Sequence, residues 1–178
     1  MNVATLSARL REGASHPTMP GLALAGLGFL LLAGAYAFEY LGGLKPCPLC
    51  LEQRVPWFAM MALGGAIFGA GRVKAPRAAM IALYVAAFCV AVWSIYLGGY
   101  HAGVEYKWWL GPATCTGSGF PTDGPILVGP SSPSDVVLCD EIPWQMFGIS
   151  LAGFNFLFSL VAAVLAGLGL RTALKEGG

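Results

Sequence analysis

The chain has 178 residues, 57% of them hydrophobic and only 11% charged, with a mean hydropathy of +0.69 and a net charge of +1. Soluble domains carry about a quarter charged residues, so this composition excludes a soluble globular protein; the net charge itself says nothing about a partner, and no nucleic-acid partner is expected. It is the composition of a membrane protein, in which each helical span of a bilayer core about 30 Å thick takes about 20 apolar residues.

Four stretches approach that length. The first, 21–42, follows Arg9 and Arg11. The second, 55–71, is short and needs Leu51 to Arg54 as its first turn; Pro56 is tolerated there because the first amides of a helix have no intrahelical partner. A basic link of Arg72, Lys74 and Arg77 leads to the third, 77–98, and a long loop leads to the fourth, 145–170, followed by Arg171 and Lys175. The expected fold is an all-α membrane protein, a four-transmembrane-helix bundle forming one integral domain over 1–178. Its two cysteine-bearing loops are 43–54 and 99–144. Gly26, Gly28, Gly64, Gly65 and Gly69 are expected to allow close helix contact.

Lys and Arg concentrate in cytoplasmic loops, and seven of the ten basic residues fall at the termini and in the 72–77 link. Both termini are therefore expected in the cytoplasm and both cysteine loops on the exoplasmic side. The run Leu22 to Leu32 followed by "AGAYAFE" also resembles a secretory signal with a small-residue cleavage site. Cleavage would remove the first helix but leave the cysteine loops on the same side.

On this map Cys47 and Cys50 lie in the short exoplasmic loop, Cys115 and Cys139 in the long one, and Cys89 inside the third span. Cys89 reads as a buried, inert, small apolar residue. For the other four, an oxidising compartment permits disulfides. Three readings stand. Zinc would want a second close pair, which Cys115 and Cys139 cannot form across a loop rich in Gly and Pro, so no metal is expected. Structural disulfides suit Cys115 and Cys139, but a bridge closing so small a loop as Cys47 to Cys50 constrains little chain entropy. A vicinal pair does suit redox exchange, which needs thiolate character. A helix starting near Cys50 would favour a thiolate there, and Arg54 lies one turn further on the same face. Arg54 can also be read as a snorkelling interfacial cation, although a basic residue on this flank opposes the positive-inside bias.

The ordered set "GLKPCPLCLEQR", "YHAGVEYKWWLGPATC", the later Cys139 and "IPWQMFGISLAGFN" resembles the disulfide bond formation protein B (DsbB) family over most of the chain. The resemblance implies a thiol:quinone oxidoreductase of the bacterial inner membrane, multi-pass, with its cysteine loops in the periplasm. It would re-oxidise a soluble DsbA-like thiol oxidase and reduce a respiratory quinone, ubiquinone or menaquinone, drawn from the lipid bilayer. By the same resemblance Cys115 faces the partner, Cys139 exchanges with Cys47, and Cys50 passes electrons to the quinone. Arg54 matches the family's quinone-site arginine, and His101 matches a histidine near the quinone; the latter can equally be a polar residue at a helix exit.

At Glu39 the family often carries Gln, and the carboxylate here either alters the quinone pocket or snorkels to the interface, the reading preferred. Trp108, Trp109 and Trp144 read as an aromatic belt. No glycine-rich phosphate loop is present, so no nucleotide cofactor is expected. Two other classes fit parts of the pattern: a vitamin-K-epoxide-reductase-like thiol/quinone enzyme, and a non-enzymatic scaffold with disulfide-braced loops.

Overall fold

The computed structural model describes residues 18–113, 115–116 and 137–175. Arg9, Arg11 and residues 114 and 117–136 of the long loop lie outside the described residues. Pro20 opens helix α1 (Met19–Tyr40) in the first turn, where its missing amide costs nothing, and the helix closes at Leu41 before Gly43 turns left-handed at φ +68°. A five-residue helix α2 (Pro48–Glu52) runs almost directly into α3 (Arg54–Arg72). Pro56 lacks the amide that would reach the Glu52 carbonyl, which accounts for the break between them at Gln53. Helix α4 (Arg77–Glu105) starts after Pro76 and runs seven residues past the expected end of the third span.

The expected fourth span, 145–170, is corrected at its start. Residues Gln145–Met146 (β1) and Ile149–Ser150 (β2) pair as an antiparallel hairpin, and only then does α5 (Leu151–Lys175) begin. The two turn residues, Phe147 and Gly148, both have positive φ, 53° and 76°, the backbone of a tight hairpin turn that a helix cannot contain.

Helix α1 packs along α3, α3 against α4, α4 along α5, and α5 back against α1, closing a bundle. Its core is Leu24, Met60, Ile67, Tyr84, Ala87, Ala91, Ala162 and Ala166. Small residues set the spacing. A Cβ on Gly64 would lie 2.5 Å from the Ala25 amide nitrogen and 2.6 Å from the Gly21 carbonyl oxygen, so α1 and α3 meet backbone to backbone. Gly28 is also a close contact, but Gly26, Gly65 and Gly69 have open space beside them, which corrects their expected role. Polar bonds tie the rest: Ser94 to Ser159 at 2.8 Å, and the Arg77 side chain to the carbonyls of Ala173 and Leu174, closing the end of α5.

Large apolar side chains also cover the outside, with Phe29, Leu30, Tyr96 and Val164 each more than half exposed. A continuous apolar exterior of this kind needs lipid rather than water around it. Helices α1, α4 and α5 are each long and apolar enough to cross a membrane. Helix α3, 19 residues with an arginine at each end, is not among them. Cys89, expected to be buried, is exposed on this outer surface.

Candidate functional site

The segment "KPCPLC" folds as it does because Cys47 is the N-cap of α2: its sulfur accepts the Cys50 amide at 3.2 Å. Pro48 follows in the first turn, where no amide is needed. The helix end therefore stabilises negative charge on Cys47, not on Cys50, which corrects the expectation that the helix favours a Cys50 thiolate. The two sulfurs lie 2.7 Å apart as free thiols. Cys47 is held down to about 5, from an ordinary 9.0, first by the Cys50 hydrogen bond; His101 and the Cys50 amide add to this, while burial opposes it. Cys50 is pushed up, first by its hydrogen bond to Cys47, then by burial and by the neighbouring negative charge. The two thiols titrate as a pair, with Cys47 the side favoured for the first negative charge and Cys50 the side that keeps the proton.

Cys115 and Cys139 form a disulfide. It is anchored locally by the Cys139 amide on the Cys115 carbonyl and by Lys107, whose Nζ donates to both the carbonyl and the carboxylate of Asp140 at 2.6 Å. Cys47, Leu49, Val104, Cys115 and Cys139 pack in one buried cluster. The disulfide and the Cys47 sulfur thus share one desolvated neighbourhood, although their loops are separated by two long helices in sequence.

On the other side of α2 a cavity of about 350 Å³ opens between α1, α3, α4 and α5, within the usual size range of small-molecule sites. Its walls are mostly apolar. Cys50, Arg54, His101 and Glu39 reach it, and Cys47 does not. Arg54 Nη1 pairs with Glu39 Oε2 at 2.6 Å, and its guanidinium lies 4.7 Å from the centre of the Tyr36 ring. Neither charge simply snorkels: the two side chains are only 12% and 21% exposed. The preferred reading of Glu39 as an interfacial carboxylate is therefore corrected. Trp144 likewise packs on Phe38 and Phe154 and lines the cavity, while Trp108 is well exposed, as an interfacial belt residue would be.

His101 lies one turn before the end of α4, and its ring is buried rather than facing the surface. Its Nε2 lies 3.6 Å from the Cys47 sulfur and 3.9 Å from Glu105 Oε1, and the other Glu105 oxygen accepts the Ser150 hydroxyl. One ligand atom each from Cys47, Cys50 and His101 lies within 4.8 Å of the others, a soft-donor set that could hold a cation only while both thiols are reduced. Gln53, Asn155, Glu105 and Ser150 complete the polar surroundings and were not singled out from the sequence. Their signal was present: amides and a carboxylate beside or within apolar spans are costly unless they serve a site.

The chain is 29% identical over 140 residues to the disulfide bond formation protein B of Methylococcus capsulatus (strain Bath), covering 70% of this chain and 79% of that one. With the same-named protein of Xanthomonas campestris pv. campestris it shares 31% over 153 residues, 79% and 84% of the two chains. That of Stutzerimonas stutzeri is 46% identical over a shorter stretch of 61 residues, 33% and 37% of the two. No solved structure matches. The family model described as disulfide bond formation protein DsbB matches residues 18–169, most of the chain, and the protein therefore belongs to this membrane protein family of disulfide bond formation.

Proposed function

We propose that the protein is a four-span thiol:quinone oxidoreductase of the bacterial inner membrane, with α3 as the additional span, both termini cytoplasmic and both cysteine loops periplasmic. It oxidises a soluble DsbA-like dithiol and delivers the electrons to a membrane quinone. The observation that carries the reading is the division of the two thiols, since Cys50 faces the apolar cavity while Cys47 is buried with the Cys115–Cys139 disulfide.

A thiolate of the partner attacks the Cys115–Cys139 disulfide at Cys115, forming a mixed disulfide and releasing Cys139. In the oxidised enzyme Cys139 then attacks a Cys47–Cys50 disulfide at Cys47, forming Cys47–Cys139 and releasing Cys50 as thiolate. The electrostatics support this order. Cys50 is held protonated first by its bond to Cys47, then by burial and then by the charge on that neighbour, so tying Cys47 into a bridge removes the first and the third and shifts Cys50 toward its thiolate. The partner's second thiol resolves the mixed disulfide, leaving oxidised partner and Cys115. Cys115 attacks Cys139 to restore the first disulfide and frees Cys47; the Cys47–Cys50 disulfide would then re-form as the pair gives up two electrons and two protons to a quinone in the cavity.

The quinone supplies an acceptor for two electrons and two protons. The cavity's mostly apolar walls fit a flat ring, Arg54 offers a donor for one of its oxygens, and His101 lines the same cavity. Purified protein given reduced partner should reduce ubiquinone or menaquinone in step with partner oxidation, and Cys50→Ser should abolish it. Thiol-independent quinone reduction, or none, would leave a disulfide-braced scaffold as the better reading.

A further inference from the structure

Behind Cys47 runs a chain of polar groups in which each donor and acceptor is fixed by its neighbour. The Trp57 indole N–H can only donate, and it meets Asn155 Oδ1 at 2.5 Å. That leaves the Asn155 amide nitrogen to donate onward, to Gln53 Oε1 at 2.6 Å. Gln53 in turn presents its amide nitrogen to His101 Nδ1 at 2.5 Å, so Nδ1 must supply the lone pair. The remaining ring nitrogen, Nε2, faces the Cys47 sulfur at 3.6 Å.

We propose that Trp57, Asn155 and Gln53 form a one-way hydrogen-bond relay that holds the His101 proton on Nε2, turned toward Cys47. The first two are positioning residues; they lie on α3 and α5 and act through Gln53 and the imidazole. The polarity has two consequences. A proton on Nε2 can be donated to a Cys47 thiolate, adding to the Cys50 amide that already caps it. It also removes the Nε2 lone pair, so His101 cannot close around a soft cation with the two thiols although its atoms are near enough to do so. The other groups facing this ring nitrogen are compatible with that polarity: the Glu105 carboxylate can only accept when ionised, and Cys50 approaches it through Cys47.

The inference rests on the reading of Cys47 as an exchanging thiolate, but its test needs no turnover, so the two can fail separately. Only His16 and His101 are present, so His16→Gln leaves one histidine to observe by nitrogen-15 NMR in the full-length protein. The relay predicts one neutral tautomer, with Nδ1 resonating as an unprotonated nitrogen and Nε2 as a protonated one. Trp57→Phe keeps the aromatic ring but removes the donor-only group that sets the direction of the two amides. Both amides can then turn over, and the Nδ1-protonated form should appear alongside the other. If Trp57→Phe does not fold, Asn155→Leu reads the same relay one amide later and should give the same mixture. A protonated Nδ1 in the native chain, or a single unchanged tautomer in the variant that folds, overturns the relay.

Discussion

Replacing Arg54 does more than remove a donor from the cavity, because it strands Glu39. The two charges are in contact at 2.6 Å and mostly shielded from water. At an effective dielectric of about 20, unit charges about 3 Å apart attract by about 5.5 kcal/mol, of which desolvation offsets a large part. A coupling of about 2 kcal/mol is a reasonable remainder, worth about 30-fold. Arg54→Ala should then lower kcat/KM for quinone by about 300-fold, since it loses the guanidinium and leaves an unpaired carboxylate facing the acceptor. Glu39→Gln alone should change it by less than about 3-fold, because an amide can still accept from Arg54. The double variant should recover to within about 10-fold of the unmodified protein, the difference being the coupling. Steady-state quinone reduction at several quinone concentrations, set beside single-turnover exchange between partner and Cys115–Cys139, separates the two steps, and the exchange should stay within about 2-fold. A double variant as impaired as Arg54→Ala would refute the pairing argument. Unchanged quinone kinetics in Arg54→Ala would remove the arginine from the site.

Three further outcomes follow from the geometry. With Cys47 and Cys50 reduced and the Cys115–Cys139 disulfide intact, the ultraviolet thiolate absorbance should titrate with its midpoint near pH 5 rather than near 9, and the fold stability gained from this thiolate should be fully present above about pH 9 and disappear as pH falls through about 5; a midpoint near 9 would contradict the capped thiolate. Cys139→Ser should accumulate a mixed disulfide with the partner through Cys115, mapped on non-reducing peptides, whereas Cys115→Ser should not; capture on Cys47 or Cys50 would end the two-step relay. Gly64→Val should destabilise the bundle by about 1–3 kcal/mol, seen as a lower thermal midpoint in detergent, while Gly65→Val should be nearly neutral because nothing lies beside it.

Much of this was legible in the sequence because it depends on local pattern. Apolar runs gave the four long helices, and spacing singled out Cys47 and Cys50. What was not legible depends on contact between distant segments. The hairpin at 145–150 is hidden in an apolar run, since Met146, Phe147 and Ile149 read as span residues until Phe147 is seen to turn left-handed. Helix α4 extends past Gly98 and Gly99 because Gly98 meets the Phe156 backbone on α5, a fit no periodicity announces. The roles of the two thiols turned on which residue caps α2, a difference of three positions that reverses the assignment of the first thiolate. Glu39 looked like an interfacial carboxylate because its partner Arg54 is 15 positions away on another helix. Gln53 and Asn155 carried a signal, amides in apolar surroundings, but their joint polarity exists only once Trp57 is placed beside them.

The central claim is that Cys50, and not Cys47, meets the acceptor. It is tested by a small naphthoquinone whose open ring position adds a thiol irreversibly, applied to variants with one free cysteine, in which the Cys115–Cys139 disulfide is intact and Cys89→Ala removes the exposed outer thiol. In Cys47→Ser, where Cys50 no longer has a negative neighbour and lines the cavity, mass spectrometry should find one adduct on Cys50. In Cys50→Ser, Cys47 should remain unmodified, because it is buried away from the cavity. An adduct on Cys47 with none on Cys50 would contradict the division of labour on which the mechanism depends.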